Sequence, residues 1–238
     1  MSLITGAEES ELPALHATEA LGREASLAGT FTLEDIVEAE IDSLKEYVSF
    51  LEQYLQIEFA RRLNAAIPLG TDQPWDDDIG NEIQYWKESF PSLARASVLP
   101  VAFAIIERVL AEHCKRIQSN RQSLPAGLES RPLMLEDLKF REGFQKNLRF
   151  IEILDPSRIS LCQKESAILR VAYKLRNHTA HAGIQPPVDQ SSQDKLNANL
   201  LKLTGVRLTQ KGIIIDDTFA PWLLDIVRKF LLAFLARD

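Results

Sequence analysis

Apolar side chains form one sustained seam along residues 33–64. They recur in steps of four and three at Val37, Ile41, Leu44, Val48, Leu51 and Leu55. This spacing is typical of a helix that buries one face. Thr32 stands just before the helix as a candidate N-cap, and Asp35 occupies the capping-box position. At about 1.5 Å per residue the helix spans roughly 45 Å, so we expect it to be the backbone of a helical bundle.

Further helices are predicted along the middle of the chain. The acidic residues after Pro74 favour a short helix in PWDDDIGNEIQYWKESF. A second long apolar helix follows in SLARASVLPVAFAIIERVLAEHCKRI, where Pro100 predicts a kink or a break. The amphipathic segment LMLEDLKFREGFQKNLRFIEIL comes next. After DPSR, a helix is expected over 163–181.

The last part of the chain combines a hairpin signal with a terminal helix. In LTGVRLTQKGIIIDD a glycine lies between β-branched or leucine-rich runs, which predicts a short β-hairpin. The terminal helix is expected from about Pro221 to Arg237. The predicted fold is therefore all-α, an up-and-down helical bundle with a small β-hairpin before the last helix. Residues 1–30 are expected to be a flexible arm on a single domain spanning 31–238.

The composition is that of a globular protein with an acidic surface. Of the 238 residues, 45% are apolar and 26% are charged, and the formal net charge is −7. Broad nucleic-acid-binding surfaces carry an excess of Lys and Arg, so only a small basic cleft is compatible with this balance. The two cysteines lack metal-ligand spacing and fit a reducing compartment.

Neither a signal peptide nor a membrane span is predicted from the sequence. The N-terminus has no basic region followed by an apolar stretch. The apolar C-terminal stretch is interrupted by Asp225, Arg228 and Lys229. We therefore expect a cytoplasmic protein that does not associate with membranes.

The densest polar cluster is LRNHTAHAG, residues 175–183. On a helical wheel, one side of this helix carries apolar residues and is expected to face the core: Ile168, Val171, Ala172 and Leu175. The opposite side carries most of the polar residues: Arg170, Lys174, Asn177, His178 and His181. Asn177 and His181 are four apart and therefore neighbours. Arg176 and His181 are about 140° apart around a regular helix, so either Arg176 reaches round or the helix loosens near its expected end at Gly183.

Two interpretations of this cluster follow from its chemistry. The first is a solvated helix C-terminus, where the helix dipole favours cations, and the spacing alone favours it. The second is a phosphodiester-cleaving site, in which a histidine transfers a proton near neutral pH and an arginine holds the phosphate. Asn177 would orient the histidine or the substrate. No carboxylate adjoins the cluster in sequence, so a metal-dependent site is not expected there, and no other cofactor is predicted.

The cluster resembles the R-x(4–6)-H signature of HEPN domains, in which a polar residue directly follows the arginine. Arg176, Asn177 and His181 occupy the arginine, polar and histidine positions. The setting is similar too, because the motif closes a helix in an all-α bundle and a further helix follows. The stretch FPSLARASVLPVAFAIIERVLAEHC is similar to an earlier core helix of the family. The resemblance covers roughly 33–237 as an architecture and 176–183 as a specific motif.

This resemblance implies a metal-independent endoribonuclease. In such enzymes the ribose 2′-OH attacks the adjacent phosphate and leaves a 2′,3′-cyclic phosphate end. His181 would be the acid/base residue, Arg176 would contact the scissile phosphate, and Asn177 would orient. HEPN domains of this kind commonly dimerise so that two motifs meet in one cleft, which would bring an arginine and a histidine to one phosphate.

The same homodimer would gather further substrate-binding groups in its cleft. Arg170 and Lys174 would add positive charge there, and His178 is a further candidate whose other interpretation is a surface histidine near a helix end. RNA is then the expected substrate. The implied setting is a prokaryotic toxin or an anti-phage defence ribonuclease, with an antitoxin or another protein as a candidate partner.

Two departures and one different hypothesis stay open. Family members paired with a nucleotidyltransferase antitoxin carry a tyrosine two residues after the histidine, but Gly183 stands there in this chain. Many HEPN proteins have lost catalysis, so the alternative is an inactive module that binds RNA, a nucleotide or a protein. A third hypothesis is a helical interaction protein whose 33–64 helix supplies a dimerisation or partner surface.

Glu107 is the other polar residue of interest, because it lies within an apolar run. One interpretation is a glutamate at the core boundary that pairs with Arg108 or Arg95. The other places it in the lining of the dimer cleft. The sequence favours the first.

Overall fold

The structure, a computed structural model, describes residues 32–66, 77–122, 134–138 and 143–236. The expected arm at 1–30 lies outside these residues. Within them the chain is mostly helical, with a small two-stranded antiparallel hairpin before the last helix. This confirms the mostly helical class and the position of the hairpin. Over the same residues, no helix combines the length and the apolar character needed to cross a membrane.

The bounds of the helices follow in chain order. They are α1 Leu33–Ala66, α2 Asp77–Gln84, α3 Phe90–Ala96, α4 Val98–Gln122, α5 Phe144–Leu154, α6 Pro156–Leu161, α7 Gln163–Ala182, α8 Gln190–Leu200 and α9 Phe219–Leu235. A π-helical turn, Tyr85–Ser89, joins α2 to α3, and a 3₁₀ turn, Leu135–Asp137, precedes α5. Strands β1 Val206–Thr209 and β2 Gly212–Ile215 form the hairpin, with Val206 opposite Ile215.

Helix α1 begins and packs as its sequence predicts. The N–H of Thr32 donates to Asp35 Oδ2 at 2.8 Å, and the N–H of Asp35 donates to Thr32 Oγ1 at 3.2 Å. The hydrogen bond from the Thr32 backbone, together with one from its hydroxyl, lowers the pKa of the Asp35 carboxyl. The seam is buried at Val37, Ile41, Leu44, Val48 and Leu55. It faces α4 and α9, against which α1 packs.

The second apolar segment is broken into two helices, but the break lies at Ser97, three residues before Pro100. Helix α3 ends at Ala96, and the Ser97 hydroxyl and N–H both donate to the Ala94 carbonyl. Pro100 lies in the first turn of α4, where the N–H groups have no partner within the helix. The turn at Ser97 therefore makes the break, and the proline is accommodated in the first turn of the next helix.

Two short helices go beyond the sequence prediction. Helix α6 occupies the DPSR link, where the Asp155 side chain accepts from the N–H of Arg158 at 3.3 Å. Helix α8 starts after Asp189, whose side chain accepts from the N–H of Ser192 at 2.8 Å. Both have an acidic N-cap but few apolar residues, so their periodicity is weak. The amphipathic segment before them is α-helical only from Phe144 onward within its described part, where a 3₁₀ turn precedes the helix.

The core lies where α4 and α9 pack against both α1 and α7. Its largest side chains are six buried phenylalanines: Phe103, Phe144, Phe150, Phe219, Phe230 and Phe234. Both cysteines are buried and unbridged. Burial raises the pKa of the Cys114 thiol to about 12 and that of Cys162 to about 11, so neither thiol is ionised at neutral pH.

Arg95 on α3 connects α1 to the hairpin through hydrogen bonds to both. Its Nε and Nη2 each donate to the Glu52 carboxylate of α1 at 2.7 Å. Its Nη1 donates to the Ile215 carbonyl of β2 at 2.9 Å. Ser92, one turn earlier, accepts from the Ile215 N–H at 3.1 Å. The two charged side chains are only 16% and 17% exposed, so this bidentate pair is largely shielded from water.

We expect Arg95→Ala to lower the free energy of unfolding by about 3 kcal/mol, because Glu52 and the Ile215 carbonyl lose their partner in a largely shielded site. Urea unfolding followed by circular dichroism measures the loss. The matched control is Arg108→Ala, which breaks a pair with Glu40 in which the Arg108 side chain is 51% exposed. Exposed pairs contribute about 0–1 kcal/mol, so equal losses in the two variants would contradict this role of Arg95.

Candidate functional site

Helix α7 stays regular to its end and stops at Gly183, as the sequence predicts. Gly183 has a φ of 63° and donates its N–H to the Thr179 carbonyl at 3.0 Å. Glycine adopts this left-handed region without the steric cost of a Cβ, which is why it ends helices. Because the helix does not loosen, Arg176 and His181 stay on different sides of it.

The inward side of α7 agrees with the wheel. Leu169, Ala172 and Leu175 are fully buried, and Val171 is 7% exposed. They pack on α4 and α9 and thereby fix the rotation of α7 about its axis. The polar residues of the motif consequently lie on or near the protein surface.

Arg176 is half-buried and is held by its neighbours on α7. Its Nη1 donates to Asn177 Oδ1 at 3.0 Å, and its Cζ lies 5.7 Å from the ring centroid of Tyr173. Its Nε is buried and has no hydrogen-bond partner among the described residues. Asn177 therefore orients the arginine, and within the described part no hydrogen bond links Asn177 to His181.

The charge of Arg176 lacks the carboxylate partner that other shielded arginines have. Five further arginines of the described ranges are half-buried or buried, and each forms an ion pair with an Asp or Glu: Arg62, Arg95, Arg158, Arg170 and Arg228. Arg176 forms no such pair with any described residue. A partly desolvated cation without a counter-ion is costly. Its environment therefore favours the binding of an anion.

His181 lies in the last turn of α7, with an exposed side chain. In the described part of the chain it makes no hydrogen bond, so its ring is open to a ligand or to a second protein molecule. The structure thus joins Arg176 to Asn177 by a hydrogen bond, while Arg176 and His181 lie on different sides of α7. A single chain therefore does not present Arg176 and His181 on one face of the helix.

The candidate substrate-binding residues have three different surroundings. Arg170 forms an ion pair with Glu152, which also lies 3.3 Å from Arg149. Lys174 is exposed. His178 has its Nε2 2.8 Å from the Gln185 carbonyl and so joins the helix to the segment that follows it. Lys174 is therefore the one of these three that presents a charge without a described partner.

The hairpin supports the segment that leaves α7. The N–H of Ile213 donates to the Ile184 carbonyl at 2.7 Å. A Cβ at Gly212 would lie 2.5 Å from the same carbonyl oxygen, so only glycine permits this approach. This contact joins residues about thirty positions apart, and no local sequence pattern identifies it.

Tyr173, whose ring lies beside Arg176, and Glu107 both lie near the start of α5. The Tyr173 ring packs edge-on against Phe103, and Glu107 accepts a hydrogen bond from the Phe144 N–H at 3.1 Å. Glu107 thus caps the start of α5, which neither interpretation of the sequence anticipated. Tyr173 was also missed; its position three residues before Arg176, on the same helix face, is the signal that identifies it.

Among the described residues, no group of three or more His, Cys, Asp or Glu side chains is arranged to hold a metal ion. The polar groups near the end of α7 instead include the nitrogen donors of Arg176, which has no described carboxylate partner. These suit an anion better than a cation.

Comparison with known proteins assigns no function, so the geometry of the site is the basis for one. No family model matches the chain, and neither a curated protein nor a solved structure matches it.

We expect Asn177→Asp to raise the free energy of unfolding by about 1 kcal/mol, because a charged acceptor replaces a neutral one beside the uncompensated Arg176. The measurement is urea unfolding of the parent and the variant at pH 7. Asn197→Asp on the exposed side of α8 is the control and should change stability by less than about 0.5 kcal/mol. A loss of stability in Asn177→Asp would contradict the view that the Arg176 charge lacks a partner.

Proposed function

We propose that the protein is a metal-independent endoribonuclease of the HEPN type that acts as a homodimer. The observation that carries this proposal is the guanidinium of Arg176, which is half-buried, positioned by Asn177 and without a carboxylate. A phosphodiester is the anion that the resemblance of the motif implies. The overall charge of −7 restricts RNA binding to such a local cationic site.

The proposed reaction uses only proton transfer and charge stabilisation. The 2′-oxygen of the ribose forms a bond to the phosphorus, and the bond from phosphorus to the 5′-oxygen breaks. A neutral His181 accepts the proton from the 2′-hydroxyl and, once protonated, donates a proton to the departing 5′-oxygen. Arg176 stabilises the charge on the non-bridging oxygens. The products are a 2′,3′-cyclic phosphate and a 5′-hydroxyl.

A dimer would bring together Arg176 and His181, which lie on different sides of α7 within one chain. Two copies of α7 that meet end to end across a two-fold axis supply two arginines and two histidines to one cleft. The exposed His181 of one chain then completes the site built by Arg176 and Asn177 of the other. Lys174 adds charge at the same face, while Arg170 contributes less because Glu152 neutralises it. A toxin or defence role for this ribonuclease follows from the family resemblance alone.

Single-stranded RNA incubated with the protein in EDTA should yield fragments with 2′,3′-cyclic phosphate ends. We expect His181→Ala to slow cleavage by about 10²–10⁴-fold, the usual contribution of general acid–base catalysis. Arg176→Ala should slow it similarly through the loss of phosphate stabilisation. Arg207→Ala, which removes an exposed arginine from β1, is the control and should cleave like the parent.

Asn177→Asp separates loss of function from loss of fold in this assay. Its new carboxylate neutralises Arg176, so cleavage should fall while stability rises. Cleavage by His181→Ala at the parental rate and equal purity would overturn the proposal. RNA binding that depends on Arg176, without cleavage by the parent, would instead identify the inactive HEPN-like binding module.

Mixing two inactive variants tests the shared site. In a heterodimer of Arg176→Ala and His181→Ala chains, one cleft position keeps both wild-type residues. Random exchange of subunits should therefore restore roughly a quarter of the parental rate. The readout is cleavage after co-refolding of an equimolar mixture, with each variant refolded alone as the control. A mixture as inactive as its components would contradict sharing across the dimer.

A further inference from the structure

Helix α1 carries a second apolar stripe, on its outer face. Tyr47, Phe50, Tyr54 and Ile57 recur in steps of three, four and three, so they lie on one side of the helix. Their exposed fractions are 46%, 68%, 48% and 68%. The buried seam of α1 lies one residue further along the chain, about 100° around the helix from this stripe, and faces the core. The stripe therefore adds nothing to the folded core and presents aromatic surface to solvent.

The surroundings of the stripe resemble a protein interface and not a solvated helix face. From Tyr47 to Ala60 every exposed residue of α1 is uncharged, and the exposed charges of this face, Glu46 and Arg61, lie at the two ends of the stripe. Outward faces of surface helices usually carry charged residues. Aromatic enrichment combined with depletion of charge marks the centre of protein–protein interfaces.

Grooves lie along both sides of α1, and Tyr47 of the stripe lines one of them. The groove between α1 and α4 has a volume of about 780 Å³ and is lined by apolar groups that include Ile36 and Val101. The groove between α1 and α9 has a volume of about 490 Å³, with Leu224 in its lining. The stripe is thus a ridge beside grooves, which is the shape that helices use to pack against each other.

The exposed apolar area supplies most of the surface that a dimer interface needs. Aromatic side chains present about 150–250 Å² each, so the stripe with Ile36 and Val101 exposes on the order of 600 Å². The largest patch on a typical monomer is roughly 300–600 Å². A standard interface buries about 800 Å² per partner, and the surrounding serines and glutamines supply the remainder.

We propose that this face binds a second copy of the chain, with the two α1 helices antiparallel about a two-fold axis near Phe50. Tyr47 then lies opposite the partner's Tyr54, and the C-terminal half of each ridge enters the α1–α4 groove of the other chain. Charge favours this direction. The N-terminal part of the face is acidic, with Asp35 and Glu46 exposed, whereas at the other end the exposed Arg61 is paired with Glu58. A parallel arrangement would place the acidic ends together.

This interface is separate from the ribonuclease cleft. Helices α4 and α9 pack against both α1 and α7, and they lie between the stripe and the motif helix. The α1 interface therefore does not depend on the proposed function. Its loss leaves both Arg176 and His181 unchanged.

Light scattering coupled to size exclusion measures the mass of the parent and of Phe50→Glu. We expect the variant to have half the mass of the parent, with an unchanged circular dichroism spectrum and unchanged RNA cleavage. Leu201→Glu is the matched control, because Leu201 is 77% exposed and lies outside α1. A monomeric parent, or equal masses for the parent and Phe50→Glu, would overturn the proposal.

A single introduced thiol tests the position of the axis. Both native cysteines are buried, so Phe50→Cys provides the reactive thiol of the described surface. Mild oxidation should convert most Phe50→Cys chains to a disulfide-linked dimer on a non-reducing gel, whereas Leu201→Cys should remain uncrosslinked. Equal crosslinking of the two variants, or none in Phe50→Cys, would overturn the antiparallel arrangement.

Discussion

The guanidinium of Arg95 joins three parts of the chain that are distant in sequence. It binds the Glu52 carboxylate of α1 and the Ile215 carbonyl that ends β2, while it belongs to α3. Through β2 the same connection reaches the Ile184 carbonyl just beyond α7. The position of the motif helix end therefore depends on a salt bridge more than eighty residues earlier in the chain. The core fixes the axis of α7, and this connection fixes where its exit segment lies.

Arg95 and Arg176 are both shielded guanidinium groups, and they have opposite electrostatic environments. Arg95 has a bidentate carboxylate and a carbonyl acceptor, so its donors are satisfied inside the protein. Arg176 has one amide oxygen and an aromatic ring, and its Nε has no acceptor in the described part. Residues that bind substrates are commonly less well satisfied in the free protein than structural ones. This contrast supports the proposed role of Arg176 more directly than the spacing of the motif does.

The sequence predicts those features that rest on local rules. The capping box at Thr32, the buried seam of α1, the glycine end of α7 and the hairpin all follow from residues within a few positions of one another. Helices α6 and α8 are not predicted from the sequence, because their few apolar residues show no clear helical periodicity. The motif residues are found from their pattern, but their partners are not. That Asn177 binds Arg176, and that Glu107 caps α5, depends on rotamers and on tertiary neighbours.

Gly212 affects the motion of the hairpin as well as its structure. Its backbone lies against the Ile184 carbonyl, and the adjacent Ile213 N–H is bonded to that oxygen. Separation of the hairpin would release the segment behind His181 and expose the Ile213 N–H. Opening of the hairpin and release of this segment are thus linked. Amide hydrogen exchange at Ile213 would register the opening of a contact between regions that are far apart along the chain.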